Sequence, residues 1–186
     1  VRADRPRGTA LRPVAGTQEL TCSLETLDPL VHGRMWCELL AASPRPGRVI
    51  PSPDLLHNLL MDTGPRRGTG EVRRAAVVRD SSGTVRAFAA LQPTEEWGDA
   101  GPAGKVAVFA SQAADGAASA VLWRTLTDLD LMVATRTSML AVDDPLLSQL
   151  VNLRTASLRS SDNVWVRIVD LPRALAGRRY STPIDM

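Results

Sequence analysis

Three patterns place this chain in the α/β (α+β) class, with a central mixed sheet flanked by helices. Two stretches with helical spacing of apolar residues, at 29–42 and 53–61, come before two apolar runs joined by Asp80-Ser81-Ser82-Gly83, a hairpin turn with Gly83 free to take positive φ. An apolar run at Lys105–Ser111 is followed by a loop, an amphipathic helix and a further run from Met132, the order of a strand–helix–strand crossover with parallel strands. A late alternation at Val164–Asp170 puts Val164, Val166 and Ile168 on one face and Trp165 and Arg167 on the other.

In chain order, Val1–Arg12 is rich in Arg and Pro and lacks periodicity, so it reads as an arm or linker. Leu11–Val14 and Glu19–Leu24 are candidates for short strands. Asp28-Pro29 starts a helix in which Leu30, Val31, Met35, Leu39 and Leu40 make the stripe. Pro53-Asp54 starts the next, and Thr63–Gly70 is expected to be loop. Glu71–Arg79 and Thr84–Gln92 are the hairpin strands. Pro93–Pro102 is a connection carrying Trp97. In the crossover helix, Ala118, Val121, Leu122, Thr125, Leu126 and Leu129 form one apolar stripe, and Asp115 is placed to cap its start. Met132–Val142 is the next strand. Asp143-Asp144-Pro145 opens a short helix, with carboxylates at its positive end. Leu171–Gly177 is a last helix ended by glycine.

Composition excludes several classes. Basic and acidic residues number 22 and 20, so the net charge of +2 gives no case for nucleic acid. The basic residues are arginines except Lys105, which reads as coding bias and not as an anion-binding surface. No apolar run approaches the ~20 residues that span a bilayer, and the first residues carry no apolar signal region. A cytoplasmic location without membrane contact is the expectation. Cys22 and Cys37 form no framework and are expected as free thiols, and no His/Cys cluster has metal-ligand spacing.

Five segments in one order carry a resemblance: PGRVIP at Pro46–Pro51, EVRRAAVVRDSSGTVRAFAAL at Glu71–Leu91, AVLWRTLTDLDL at Ala120–Leu131, VDDPL at Val142–Leu146 and WVRIVDLPRALAGRRY at Trp165–Tyr180. Together they resemble the second, central domain of the Eis-like (enhanced intracellular survival) GNAT N-acetyltransferases, over roughly Val31–Met186. The resemblance implies a three-part parent: a GNAT domain that binds acetyl-CoA, a second GNAT-like domain, and a sterol-carrier-like C-terminal domain. It also implies hexameric assembly and acetyl transfer to amines, including aminoglycosides and protein lysines in some members. On that basis residues 1–15 are a linker or arm and 16–180 the GNAT-like domain. Residues 181–186 begin a C-terminal domain, and the catalytic domain lies before Val1. The partners are then the flanking domains and further copies of the chain.

The resemblance also implies a cofactor loop. GNAT domains cradle the cofactor pyrophosphate on a loop of the form Gln/Arg-x-x-Gly-x-Gly/Ala at a helix N-terminus. Here the loop is Gln112-Ala113-Ala114-Asp115-Gly116-Ala117. Gln112 and Ala117 match its ends, but Asp115 stands at the glycine position and Gly116 follows it. Two like charges ~4 Å apart repel by ~4 kcal/mol at an effective dielectric of ~20. Asp115 therefore reads as an N-cap in a degenerate loop, with cofactor binding the competing reading. The family's general acid is often a Tyr after the next strand; Tyr180 is the sole tyrosine and falls too late, so it reads as structural.

Other candidates read as structural. Arg66-Arg67-Gly68-Thr69-Gly70 resembles a phosphate loop but feeds no helix, so it is expected to be a turn. His32 and His57 lack a Cys, Asp or Ser partner at useful spacing and are expected at the surface or boundary. Ser81, Ser82, Ser160 and Ser161 carry no nucleophile signature. Asp128 and Asp130 sit where the helix dipole disfavours carboxylates, either as a solvated end or paired with Arg136, Arg154 or Arg167. The expectation is a scaffold domain of an Eis-like enzyme, with no catalytic residue, metal or cofactor of its own. The rivals are an autonomous small GNAT enzyme using acetyl-CoA and a standalone binding module.

Overall fold

The computed structural model describes residues 2–4, 10–45, 49–68, 70–138, 140–162 and 165–179. Its elements are β1 (Arg2–Asp4), β2 (Thr21–Thr26), α1 (Pro29–Ala42), α2 (Pro53–Leu60), α3 (Gly64–Arg67), β3 (Arg74–Arg79), β4 (Val85–Thr94) and the small pair β5 (Trp97–Gly98) and β6 (Gly101–Pro102). Next come β7 (Gly104–Ala113), α4 (Gly116–Thr127), β8 (Met132–Thr137), α5 (Pro145–Gln149), a tight helical turn at Leu153–Ala156 and α6 (Leu171–Ala176). The main sheet runs β1-β8-β7-β4-β3-β2, antiparallel throughout except for the parallel pair β7–β8 that α4 connects. The mixed α/β class is as the patterns predict.

The sheet separates two apolar layers. Alternation along β3 sends Ala76 and Val78 toward α4, where Leu122, Leu126, Val106 and Leu146 gather. Ala75 and Val77 go the other way, toward Trp36, Leu39 and Leu60 of α1 and α2 and Phe88 of β4. A strand covered on both faces reads as a continuous apolar run, which is why Ala-Ala-Val-Val lacks a polar face. Cys22 packs beside the first layer and Cys37 beside the second, so the two free thiols lie across the sheet from each other.

Helix starts follow their caps. Asp28 accepts from the Leu30 and Val31 N–H groups, Ser52 from Leu55 and Asp144 from Leu146, each before a proline in the first turn. The hairpin turn is held by Asp80, whose carboxylate accepts from the N–H groups of Ser82 and Thr84. At the base of the crossover, Leu131 takes a left-handed backbone (φ 60°). A Cβ on Gly104 would lie 2.7 Å from the Leu131 carbonyl oxygen, so β7 and β8 meet here only because position 104 has no side chain.

Several expectations change. The first full strand is Thr21–Thr26, not Glu19–Leu24, because its pairing partner Arg74–Arg79 fixes where it can bond. Leu11 makes only an isolated bridge to Leu150. The 63–70 loop contains the helical turn α3, after which Gly68 takes positive φ. The connection carrying Trp97 closes as the β5–β6 pair. β8 stops at Thr137 instead of Val142, since its ladder with β7 ends there. Residues 165–168 are not a strand: the β8 edge, open to a strand following α5, is paired with β1. Among the described residues no helix is long and apolar enough to cross a membrane.

Candidate functional site

The parallel strands β7 and β8 diverge. Pairing between them runs from Gly104–Met132 to Val108–Thr137 and stops, while β7 stays bonded to β4 as far as Ala113. The cause is a bulge: β4 residues Ala90 and Leu91 pair with Ala110 and Val108, leaving Phe109 unopposed. Phe109 and Ala110 consequently both pack against the α1/α2 layer, breaking the strand's alternation. The Arg73 guanidinium lies over the Phe109 ring at 4.4 Å and donates to the Leu59 and Met61 carbonyls, tying the bulge to the end of α2. The C-terminal ends of two parallel strands separated in this way, facing a helix N-terminus, form the crevice where α/β sheets commonly take ligands.

The loop filling that crevice is Gln112–Ala117. Asp115 caps α4: its side chain accepts from the Ala118 N–H at 2.8 Å and its carbonyl from the Ser119 N–H at 3.0 Å. The second carboxylate oxygen takes a hydrogen bond from the Arg86 guanidinium at the start of β4. Arg86 also lies 3.8 Å from the Asp80 carboxylate, so the hairpin turn, β4 and the α4 N-terminus are joined by charge. Burial pushes the Asp115 pKa up, but the Ala118 N–H, Arg86 and the Ala117 N–H together outweigh it and hold the carboxyl below its ordinary range. Gln112 turns its amide onto the Ala113 carbonyl, and the Ala114 N–H bonds the Arg86 carbonyl.

Two more segments close over the helix start. Buried Gln149 donates from Nε2 to the Gly116 carbonyl at 2.7 Å. Gly16, with left-handed φ of 79°, lies against Ala117: a Cβ there would stand 3.7 Å from Ala117 Cβ. These segments are themselves paired, through the Arg12 N–H to the Gln149 carbonyl and the Val151 N–H to the Ala10 carbonyl. The end of α4 that could receive an anion is thus met by a carboxylate, an amide and a backbone loop of the same chain. A pyrophosphate here would face the Asp115 carboxylate, whose charge Arg86 offsets, and the Ala118 donor is already used.

A second polar cluster lies at the start of α1. His32, expected at the surface or boundary without a Cys, Asp or Ser partner, is buried, its ring stacked on Phe88 at 6.0 Å. Its Nε2 lies 3.3 Å from the Glu25 carboxylate and its Nδ1 2.9 Å from the Asp28 nitrogen. The partner sits on β2, seven residues earlier, and only the β2-to-α1 turn brings it back. Arg79 bonds the other Glu25 oxygen at 2.6 Å and Ser23 bonds it at 2.8 Å. The Arg79 hydrogen bond leads, against opposing burial and with help from Ser23 and His32, in holding Glu25 down to about 2. A carboxylate so stabilised is a poor proton acceptor near neutrality.

The remaining candidates lie apart. Tyr180 and Thr69 fall outside the described residues. Burial pushes the half-buried Cys22 thiol up, which disfavours the nucleophilic thiolate. Asp130 accepts the Leu131 N–H at the turn into β8. Among the described residues no group of three His, Cys, Asp or Glu side chains could hold a metal ion. Arg86, Gln149 and Gly16 carried weak signals at most: Arg86 is a lone charge in an apolar strand.

A sequence model of the acetyltransferase (GNAT) domain family matches residues 55–168. The chain belongs to that family. An "uncharacterized N-acetyltransferase" of Streptomyces avermitilis is 31% identical over 142 residues, covering 76% of this chain and 34% of its own. One from Streptomyces coelicolor is 32% identical over the same shares. The matched part is therefore about a third of these relatives' length. Among solved structures, Eis1 from Mycobacterium abscessus superposes with a TM-score of 0.66 at 20% identity, over 97% of this chain and 44% of that one. A GCN5-related N-acetyltransferase from Anabaena variabilis gives 0.57 at 12%, over 86% and 37%. At these identities the likeness is one of fold. In this GNAT chain the Gln112–Ala117 loop joins β7 to α4.

Proposed function

We propose that this chain is a non-catalytic GNAT-like domain, the central one of a larger Eis-like N-acetyltransferase. It holds the acetyl-CoA-binding domain and a C-terminal domain in place within a homo-oligomer, a hexamer by resemblance. The observation that supports this best is the Asp115 carboxylate at the α4 N-terminus, which takes the Ala118 N–H where a cofactor phosphate would need it. Acetyl transfer needs the cofactor's phosphates held and the thioester aimed into the strand fork. Here the fork persists as architecture while its anion end is occupied by the protein. The parent enzyme would transfer acetyl from acetyl-CoA to an amine, with the chemistry in another domain.

The second reading is an autonomous small GNAT enzyme. The bulge at Phe109 favours it, because the chain keeps the divergence of β7 and β8 that opens a crevice beside the loop. Isothermal titration of the 186-residue chain with acetyl-CoA separates the two. Under the scaffold reading, millimolar cofactor gives no heat. Micromolar binding would remove it and establish the enzyme reading.

A further inference from the structure

We propose that residues 165–177 are the opening strand–helix unit of a neighbouring domain, whose remainder lies downstream of Met186 in a longer parent chain. This rests on the proposed function, in which the chain is one part of a larger acetyltransferase. It moves the start of that neighbour from residue 181, where the resemblance put it, back across the whole Trp165–Gly177 segment.

Packing ends well before position 165. Ala156, fully buried, closes the tight turn at Leu153–Ala156, and Ser157 leaves it with a left-handed backbone (φ 46°). Beyond it every described residue with an assigned burial, 157–162 and 165–179, is exposed. Ser157–Asp162 has the polar composition of a linker. The segment from Trp165 to Leu175 does not. Trp165 is 84% exposed, Val166 92%, Ile168 63% and Val169 88%, and Leu171 and Leu175 stand open four residues apart on α6. Trp165 and Val169 share one parity of an extended chain, Val166 and Ile168 the other. Both faces are apolar, the composition of an interior strand and not of an edge.

The helix is equally prepared. Asp170 caps it by accepting from the Arg173 N–H at 3.0 Å, and the Gly177 N–H closes it onto the Arg173 carbonyl. Six helical residues do not hold in water alone, so this unit needs a surface to fold against. The chain's own β8 edge is taken by β1. Edge-to-edge pairing with a second copy would leave both faces of the strand wet. Covering a strand on both sides takes a layered domain, and the relatives have the chain for one, since only 34% of their length matches here.

Hydrogen exchange of the 186-residue chain and of its full-length parent tests this. In the shorter chain, amides of 165–177 exchange freely; in the parent they slow by ~100-fold or more. In the parent Ile168→Glu lowers the melting temperature; in the 186-residue chain it leaves it unchanged. Protection already present in the monomeric short chain would mean docking on its own body. Protection that rises with concentration alongside dimerisation would mean a second copy. Either result overturns the proposal, as do fast exchange in the parent and a gene that ends at Met186. Acetyl-CoA binding by the short chain would instead remove only the non-catalytic reading, leaving the exchange result to stand.

Discussion

Two six-residue stretches, Ala75-Ala76-Val77-Val78-Arg79-Asp80 and Trp165-Val166-Arg167-Ile168-Val169-Asp170, are written alike: apolar residues of both parities, an arginine, and a closing aspartate. The first is the centre of the molecule, with Ala75 to Val78 at 0% exposure between β2 and β4. The second pairs with nothing among the described residues and is exposed throughout. Strand-forming composition states a demand for neighbours on both edges and both faces; it does not say whether this stretch of chain supplies them. For β3 one neighbour, β4, comes across a hairpin, and the other, β2, returns from before the three helices. For 165–170 the sheet edge that could have received it is already filled by β1.

The widest break in that comparison is a charge placed in each stretch. Val77→Asp buries a carboxylate with no partner, a cost of several kcal/mol against a total stability of ~5–15. The variant is expected to lose its cooperative thermal transition. Val166→Asp in the same 186-residue chain is expected to leave the transition within ~1 °C of the parent. Equal damage from both would show that the second stretch is packed after all.

Smaller changes sharpen where the packed region is centred. Phe88 is fully buried, with His32 stacked on it and Trp36 tilted at 6.2 Å. Phe88→Ala should cost about 3–5 kcal/mol. For a chain of this size that is a fall of roughly 6–20 °C in melting temperature by calorimetry. Gly104→Ala comes next: the new methyl would press on the Leu131 carbonyl and lie 2.8 Å from the Met132 sulfur. Urea unfolding should register about 1–3 kcal/mol. A neutral result would mean that the α4–β8 turn relaxes freely.

Legibility in the sequence tracks the range of the interactions. Local chemistry was readable: Asp28, Asp115 and Asp144 each cap the helix that their position announces, and Asp80-Ser81-Ser82-Gly83 makes its turn. Pairing partners were not. The ends of β2 and β8 are set by the strands beside them, and the bulge at Phe109 is a mismatch of register between two strands that no single stretch records. The site divides in the same way. Asp115 at the glycine position was plain. Arg86, 29 residues upstream, and Gln149, 33 residues beyond Gly116, come to the helix start only through the tertiary fold. His32 differs, since its partner Glu25 is close in sequence but on a different kind of element.

Asp115→Ala separates capping from anion exclusion at the sealed loop. Loss of the cap alone should destabilise by about 0.5–2 kcal/mol in urea. Arg86 is then left facing the open helix end, where both attract anions. Even so, acetyl-CoA titration of the variant should stay silent, because Gln149 and the Gly16 loop still cover Gly116 and Ala117. Heat on adding cofactor would show that one carboxylate was the whole barrier.

The smallest expected effect is the acid limb of stability at the Glu25 cluster. Glu25 is held down to about 2 in the folded chain, against ~4.3 for a free glutamate, so the unfolded chain binds the extra proton between those values. Its contribution is full above about pH 4.5 and is lost as pH falls toward about 2. Glu25→Gln cannot titrate, so its melting temperature should fall less steeply between pH 5 and pH 2.5. The side chain is a third exposed, which screens the pair, and the difference should be only ~1–3 °C. Slopes are compared instead of absolute values, because the substitution also removes the neutral-pH attraction to Arg79. The Asp115 carboxyl, likewise held low, titrates in the same sense in both proteins and cancels from the difference. Parallel slopes would show that Arg79 and His32 gain nothing from the Glu25 charge, and that the cluster is held by packing on Phe88 alone.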